Sequence, residues 1–392
     1  MNRKKSRLLL PAFLLLVFLG FLLLHDLFGG TLLSSSAYNS YTLQSLSWLK
    51  GQLALDKDYP WLELAAFGGK YYVSFPPVPS VLMLPFAAVF GEQTPDNLII
   101  LGLCLAAIAL AYGIFRREDL SERKSLFFSA FLVLGSNLLW LCTDGSVWFL
   151  AQALNIVLCL AAIFAAQGDR WVLSFFFVAL AVGCRPFSVL LFLPLLWRFY
   201  VHETKENGLS FMKGALTIFK VLIPAILVAA AYMAFNYARF GSPLVFGHRY
   251  LPEFSSESQF AFSNIPQNLK YLFRPVTLTR FLRPEYPIYD GFLFFIANPF
   301  FILLALRMRK PSAEQWLSLG CLIANLLLLT MHRTLGGWQF GARYTVDLLP
   351  YAVIALLPGL KEKPVCNAEL LLCGFAILFN FYGAIAMHVL YY

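Results

Sequence analysis

The sequence predicts an all-α polytopic membrane protein, a bundle of about 11 transmembrane helices with interfacial helices in two long external loops. Three observations predict it. Of 392 residues, 59% are hydrophobic and only 13% are charged, well below the roughly 25% of an ordinary soluble domain. Apolar runs of about 17 to 25 residues, the length that crosses a bilayer core at about 1.5 Å per residue, recur along almost the whole chain. Lysines and arginines gather in the short segments between those runs, where positive charge sets topology. The net charge of +9 is therefore explained by topology, and nucleic-acid binding has no support in the pattern.

The first run, residues 8–28, follows Arg3, Lys4, Lys5 and Arg7. It is too long for a signal-peptide h-region and has no small-x-small exit, so it reads as an uncleaved helix with a cytoplasmic N-terminus. The next hydrophobic segment, "GGKYYVSFPPVPSVLMLPF", decides the topology. If residues 76–91 cross, Arg116, Arg117, Arg123 and Lys124 fall outside and every later basic loop is inverted. If they dip or lie at the interface, the crossings are 8–28, 97–115, 125–142, 147–166, 171–184, 187–200, 214–236, 291–308, 313–331, 344–360 and 368–388. The basic loops at Arg116 to Lys124, Arg170, Arg198 to Lys213, Arg307 to Lys310 and Lys361 to Lys363 then all face the cytoplasm. Length agrees, because 16 residues reach only about 24 Å of a core about 30 Å thick. Pro76, Pro77 and Pro79 supply no backbone donors, so irregular chain at that depth must be buried in protein or line a polar cavity. The segment reads as the wall of a site, with a short proline-kinked span as the alternative.

This topology divides the chain into an N-terminal transmembrane module, 1–210, with a first external loop at 29–96, and a C-terminal module, 211–392, with a second external loop at 237–290. The first loop contains "YNSYTLQSLSWLKGQL", whose amphipathic character suits a helix on the membrane surface. No internal repeat is visible in hydropathy or motifs, which disfavours an inverted-repeat transporter. Seven cysteines lie mainly inside apolar runs with no CxxC, so neither a disulfide framework nor a zinc site is indicated.

Polar residues at the outer membrane boundary are costly to bury and are the functional candidates. Asp144 lies in the outer turn "WLCTDGSVWF", with helix N-capping as the structural alternative. Arg185, in "CRPFSVLLFLP", has no lipid-facing solution and needs an anionic ligand such as phosphate or a carboxylate partner, Asp144 being one choice. In the second loop, His248, Arg249 and Tyr250 suit sugar stacking and phosphate capture, and Tyr72 joins them from the opening segment. "MHRTLGGWQFGARYTVDLLP" offers His332, Arg333, Trp338 and Arg343. Among first-loop acids, Asp56, Asp58 and Glu63 are candidate general bases. Solvated surface charge is the bland alternative for most of these residues taken singly. GxSxG, Walker and HExxH motifs are all absent.

Taken as an ordered series, "GGKYYVSFPPVPSVLMLP", "TDGSVWF", "CRPFSVLLFLP", "NYARFGSP" and "GGWQFGARY" resemble the GT-C superfamily of membrane glycosyltransferases, particularly the branch similar to aminoarabinose transferases and protein O-mannosyltransferases. The resemblance implies an extracytoplasmic active site that uses a polyprenyl-phosphate-linked sugar donor and a lipid, glycan or protein acceptor. It places Asp144 as an acid near the site and Arg185, Arg343 and Arg333 at the donor phosphate. One departure stands out. Where the family carries an acidic base soon after the first helix, this chain reads "SSSAYNSY", and Ser34, Ser35 and Ser36 cannot act as bases. Asp26, Asp56, Asp58 or Glu63 would have to substitute. A divalent metal stays open as a cofactor, without a convincing ligand set in the sequence. The rival expectation is a lipid-glycan transporter or flippase, or a non-catalytic glycolipid-binding relative.

Overall fold

A computed structural model describes residues 8–207, 211–252, 258–281, 283–308 and 310–390. The basic residues 3–7, Arg309 and the Lys213 side chain lie outside the described residues. The helices are α1 (Leu9–Leu27), α2 (Ser40–Leu49), α3 (Val78–Phe90), α4 (Asp96–Arg117), α5 (Glu122–Val133), α6 (Leu138–Leu141), α7 (Val147–Ala166), α8 (Trp171–Val182), α9 (Phe192–Asn207), α10 (Phe211–Phe240), α11 (Ile265–Leu272), α12 (Phe294–Ala297), α13 (Ile302–Arg307), α14 (Ala313–Met331), α15 (Leu349–Glu362) and α16 (Asn367–Val389). Among the described residues, two antiparallel hairpins interrupt them: β1 (Leu64–Phe67) with β2 (Lys70–Val73), and β3 (Thr277–Leu278) with β4 (Pro284–Glu285). One continuous apolar core runs from Val17 on α1 to Met387 on α16.

Among the described residues, six helices are long and apolar enough to cross a membrane: residues 9–27, 96–117, 147–166, 214–240, 313–331 and 367–389. The chain is a membrane protein. The other expected crossings are helical in pieces. α8 has 12 residues, α5 gives way to the short α6, and 3-10 turns at Pro186–Leu191 and Arg343–Leu348 lead into α9 and α15. Hydropathy registers the greasy length of such runs, whereas the breaks come from prolines and buried polar side chains that redirect the backbone.

The proline segment forms one short helix after Pro76 and Pro77. α3, with 13 residues, reaches about 20 Å at about 1.5 Å per residue, short of a bilayer core about 30 Å thick. Its first amide, Val78 N–H, donates to the Gly183 carbonyl at 3.0 Å. α2 is buried more completely than an amphipathic surface helix requires: Ser40, Gln44 and Ser45 have no exposed surface. Its polar face points inward because it is bonded to α3. Ser80 Oγ donates to Gln44 Oε1 at 2.7 Å, and Ser45 Oγ donates to the carbonyls of Tyr41 and Ser80 at 2.7 and 2.8 Å.

Two buried polar devices lock the remaining segments. Asn137, in the break between α5 and α6, donates from its backbone to Asn298 Oδ1 at 2.8 Å and from Nδ2 to the Phe340 carbonyl at 3.1 Å and Asn380 Oδ1 at 3.2 Å. Its Oδ1 accepts from Asn298 Nδ2 at 2.9 Å and Ala342 N–H at 3.0 Å. Elsewhere, Arg307 at the end of α13 is buried in an ion pair with Glu369 in the first turn of α16. Its guanidinium also donates to the carbonyls of Lys363 and Pro364, both at 2.8 Å.

Removing one partner of a buried pair leaves the other charge uncompensated, at a cost of about 3 to 5 kcal/mol. Glu369→Ala is therefore expected to lower the thermal midpoint of the detergent-purified protein clearly. An unchanged midpoint would show that the pair does not clamp α13 to α16.

Candidate active site

The ends of α7, α8, α14 and α15 that meet one another enclose a cavity of about 1010 Å³. Its wall brings together segments far apart in sequence, including Glu63, Ser74 to Pro76, Asp144, Arg185, His248, His332, Arg333, Trp338, Arg343 and Asp347. Ion pairs involving Glu118, Asp119, Asp169, Arg198, His202, Glu314 and Lys361 occupy the opposite helix ends. Apolar rings, Phe187, Phe246 and Phe260 among them, complete the wall, the mixture of greasy surface and few placed polar groups that suits a ligand site.

Asp144 is buried and accepts the Ser146 amide at 2.8 Å through Oδ1. That turn immediately precedes α7, so the side chain both shapes the helix start and presents a carboxylate to the cavity. The turn is pressed tightly against α4: Gly145 N–H donates to Asn97 Oδ1 at 2.7 Å, and a Cβ on Gly145 would meet Asp96 Cβ at 2.3 Å. Only glycine fits there.

Arg185 pairs with Asp347, Nε to Oδ2 at 2.8 Å, and not with Asp144 as the sequence allowed. Asp347 was not foreseen. It sits in the 3-10 turn one helical turn after Arg343, where it reads in sequence as an ordinary acid at a helix start. Each guanidinium nitrogen of Arg343 donates to a neutral acceptor: Nε and Nη2 to the Gly336 carbonyl at 3.1 and 2.8 Å, and Nη1 to Gln152 Oε1 at 2.9 Å. The Tyr344 ring contacts both cations, 4.8 Å from the Arg185 guanidinium and 4.9 Å from that of Arg343. Arg333 and Trp338 also line the cavity, with Trp338 edge-on to Trp140 at 6.1 Å.

Other expected residues lie elsewhere. Asp56 and Asp58 are exposed outside the cavity, and Asp56 Oδ1 accepts the Tyr59 hydroxyl at 3.1 Å. Of the three first-loop acids considered, Glu63 is the one on the wall, because it leads straight into β1. Tyr72 faces away from the cavity and packs on Phe240, since strand side chains alternate and its neighbour positions Tyr71 and Val73 turn to the main core. Tyr250 packs between Phe67 and Phe240, and Arg249 is exposed; of the 3-10 turn Gly247–Tyr250, His248 is the residue on the wall. A carboxylate does stand beside the serines of the first loop: Asp96 Oδ2 accepts the Ser36 amide at 3.4 Å. Asp96 is only 1% exposed and is not part of the cavity wall. Among the described residues, no three His, Cys, Asp or Glu side chains form a group that would hold a metal ion.

Fold and cavity together define a polytopic α-helical membrane protein with a polar-lined chamber at the meeting helix ends. The solved structures to which it is similar include ArnT from Cupriavidus metallidurans bound to undecaprenyl phosphate, with a TM-score of 0.52 and 14% identity over 93% of this chain and 61% of that one. The apo state of the same ArnT gives a TM-score of 0.53 and 11% identity over 90% of this chain. The chain thus spans about three-fifths of the length of those structures. No family model matches the chain, and no curated protein does.

Gly145→Ala should displace Asp96 or the Asp144 turn and cost about 1 to 3 kcal/mol, the usual price of overpacking a filled site. A thermal melt of the purified variant measures it; a melt identical to wild type would show that the turn has room to spare.

Proposed function

We propose that the protein is an integral-membrane glycosyltransferase that moves a sugar from a polyprenyl-phosphate donor to an extracytoplasmic lipid, glycan or protein acceptor. The observation that carries the reading is the convergence of Arg185, Arg333 and Arg343 with the carboxylates Asp144 and Glu63 on one largely apolar wall. The bound undecaprenyl phosphate of the structurally similar ArnT supports the donor class.

In this scheme the acceptor hydroxyl attacks the anomeric carbon and the bond from that carbon to the phosphate oxygen breaks. Its electron pair leaves with the phosphate, and the hydroxyl proton passes to Asp144 or Glu63 acting as general base. Guanidinium groups stabilise the charge that grows on the departing phosphate. Asp347 already pairs with Arg185, whereas Arg343 hydrogen-bonds to neutral acceptors, so Arg343 is the cation assigned here to the departing phosphate. With a cytoplasmic N-terminus, α1 delivers the first loop, and hence the cavity, to the external side. A second reading, a non-catalytic glycolipid-binding relative, draws on Ser34, Ser35 and Ser36 standing where an acidic base is expected.

The test is a transfer assay with the full chain, labelled polyprenyl-phosphate sugars and membrane acceptors. Asp144→Asn and Arg343→Ala are each expected to reduce turnover by about 100-fold, the usual loss for a general base or a charge-stabilising group. Equal turnover in both variants would reject the site, and absence of transfer from every donor alongside retained lipid binding would favour the second reading.

A further inference from the structure

Among the histidines, His248 is held in a way that leaves one ring nitrogen committed and the other open. Its Nδ1 lies 3.0 Å from the Ser74 carbonyl oxygen. A carbonyl can only accept, so Nδ1 carries the proton and Nε2 is the lone-pair acceptor of the neutral ring. His332 differs: its Nδ1 is engaged by Thr334 at 2.7 Å and its Nε2 by the Gln259 amide at 2.9 Å.

The mount of His248 is rigid. Gly247 lies so close to Ser74 that a Cβ would meet Ser74 Cα and O at 2.7 Å. The Phe75 ring meets the imidazole edge-on at 5.0 Å, and Ser74 Oγ is itself tied to the Glu63 carbonyl at 2.8 Å. Strand end, 3-10 turn and ring therefore form one unit on the cavity wall.

We propose that His248 Nε2 is the hydrogen-bond acceptor through which the cavity reads a hydroxyl of the transferred sugar or of its acceptor. This rests on the transferase reading and adds to it the chemistry of the recognised group: it must be a donor, so a fluoro, methoxy or deoxy substituent at that position is refused. The surroundings keep the lone pair available. Burial, the neighbouring His332 and the Arg185 cation hold the ring pKa down at about 4, against the opposing pull of the Ser74 bond. The ring stays neutral through the physiological range, and a lysine or arginine could not do the same work because neither has an acceptor.

Two measurements test it. With histidine labelled by nitrogen-15 in the full chain, the expected resonance pattern for His248, assigned by its loss in His248→Gln, is a protonated Nδ1 and a bare Nε2 from pH 5 to 8. A proton on Nε2 would overturn the proposal. Next, donors deoxygenated or fluorinated at each sugar position, and acceptors deoxygenated at the receiving residue, are compared with the parent compounds. One position should lose about 10-fold in kcat/KM with wild type, as for an unmade buried hydrogen bond. Whether that position falls in the donor or the acceptor series identifies the source of the hydroxyl. The preference should vanish in His248→Ala and persist in His248→Gln, whose amide oxygen still accepts. An undiminished preference in a His248→Ala protein that melts like wild type would overturn it. Should wild type turn nothing over, the transferase reading fails, and the same panel read as displacement of bound labelled lipid still decides the role of His248.

Discussion

The arrangement depends on one buried constraint: three asparagines that must satisfy one another away from water. Asn137, Asn298 and Asn380 have no exposed surface. An unpaired amide there costs about 1 to 3 kcal/mol, so each requires its partners in place. Asn298 Nδ2 also donates to Thr345 Oγ1 at 3.0 Å, and Asn380 Nδ2 to the Ala297 carbonyl at 2.8 Å. The network ties the break after α5, the start of α13's segment, the loop before α15 and the middle of α16 into one knot. That loop carries Trp338 and Arg343, so the cationic wall of the cavity is placed by groups that never face it.

The cavity itself separates two ways of keeping a cation in a greasy setting. Arg185 is neutralised by Asp347, which suits a fixed structural charge. Arg343 is held by carbonyl and amide oxygens, which fix its orientation without cancelling its charge. The second arrangement leaves positive potential directed at whatever enters. The Tyr344 ring makes cation–π contact with both guanidinium groups, at 4.8 and 4.9 Å.

The class of fold was legible because a bilayer imposes length and greasiness on any segment that crosses it, and basic residues mark the ends. Asp144, Arg185, His248, Arg333, Trp338 and Arg343 were legible for a related reason: polar groups at the ends of apolar runs are costly and need a purpose. What stayed hidden turns on phase and partnership. Tyr72 and Ser74 differ by two positions, yet one packs on Phe240 and the other reaches the wall, because the strand ends between them. His248 and Arg249 are adjacent, and the 3-10 turn sends them different ways. The burial of α2 was hidden because its inward face is polar and finds its acceptors on α3, a pairing no periodicity reveals. Asp347 went unrecognised because its partner lies 162 residues away.

α10 packs on α8, where the Tyr232 hydroxyl donates to the Ala179 carbonyl at 2.9 Å, yet it is little covered by the rest of the protein. Only 6% of its apolar window is buried by protein, so lipid chains, and not side chains, set most of its surroundings. At its far end Arg239 grips the Val73 carbonyl at 2.9 Å, one residue before Ser74. The span with the least protein cover is thereby fastened to the strand that leads into Ser74, the residue whose carbonyl holds the imidazole.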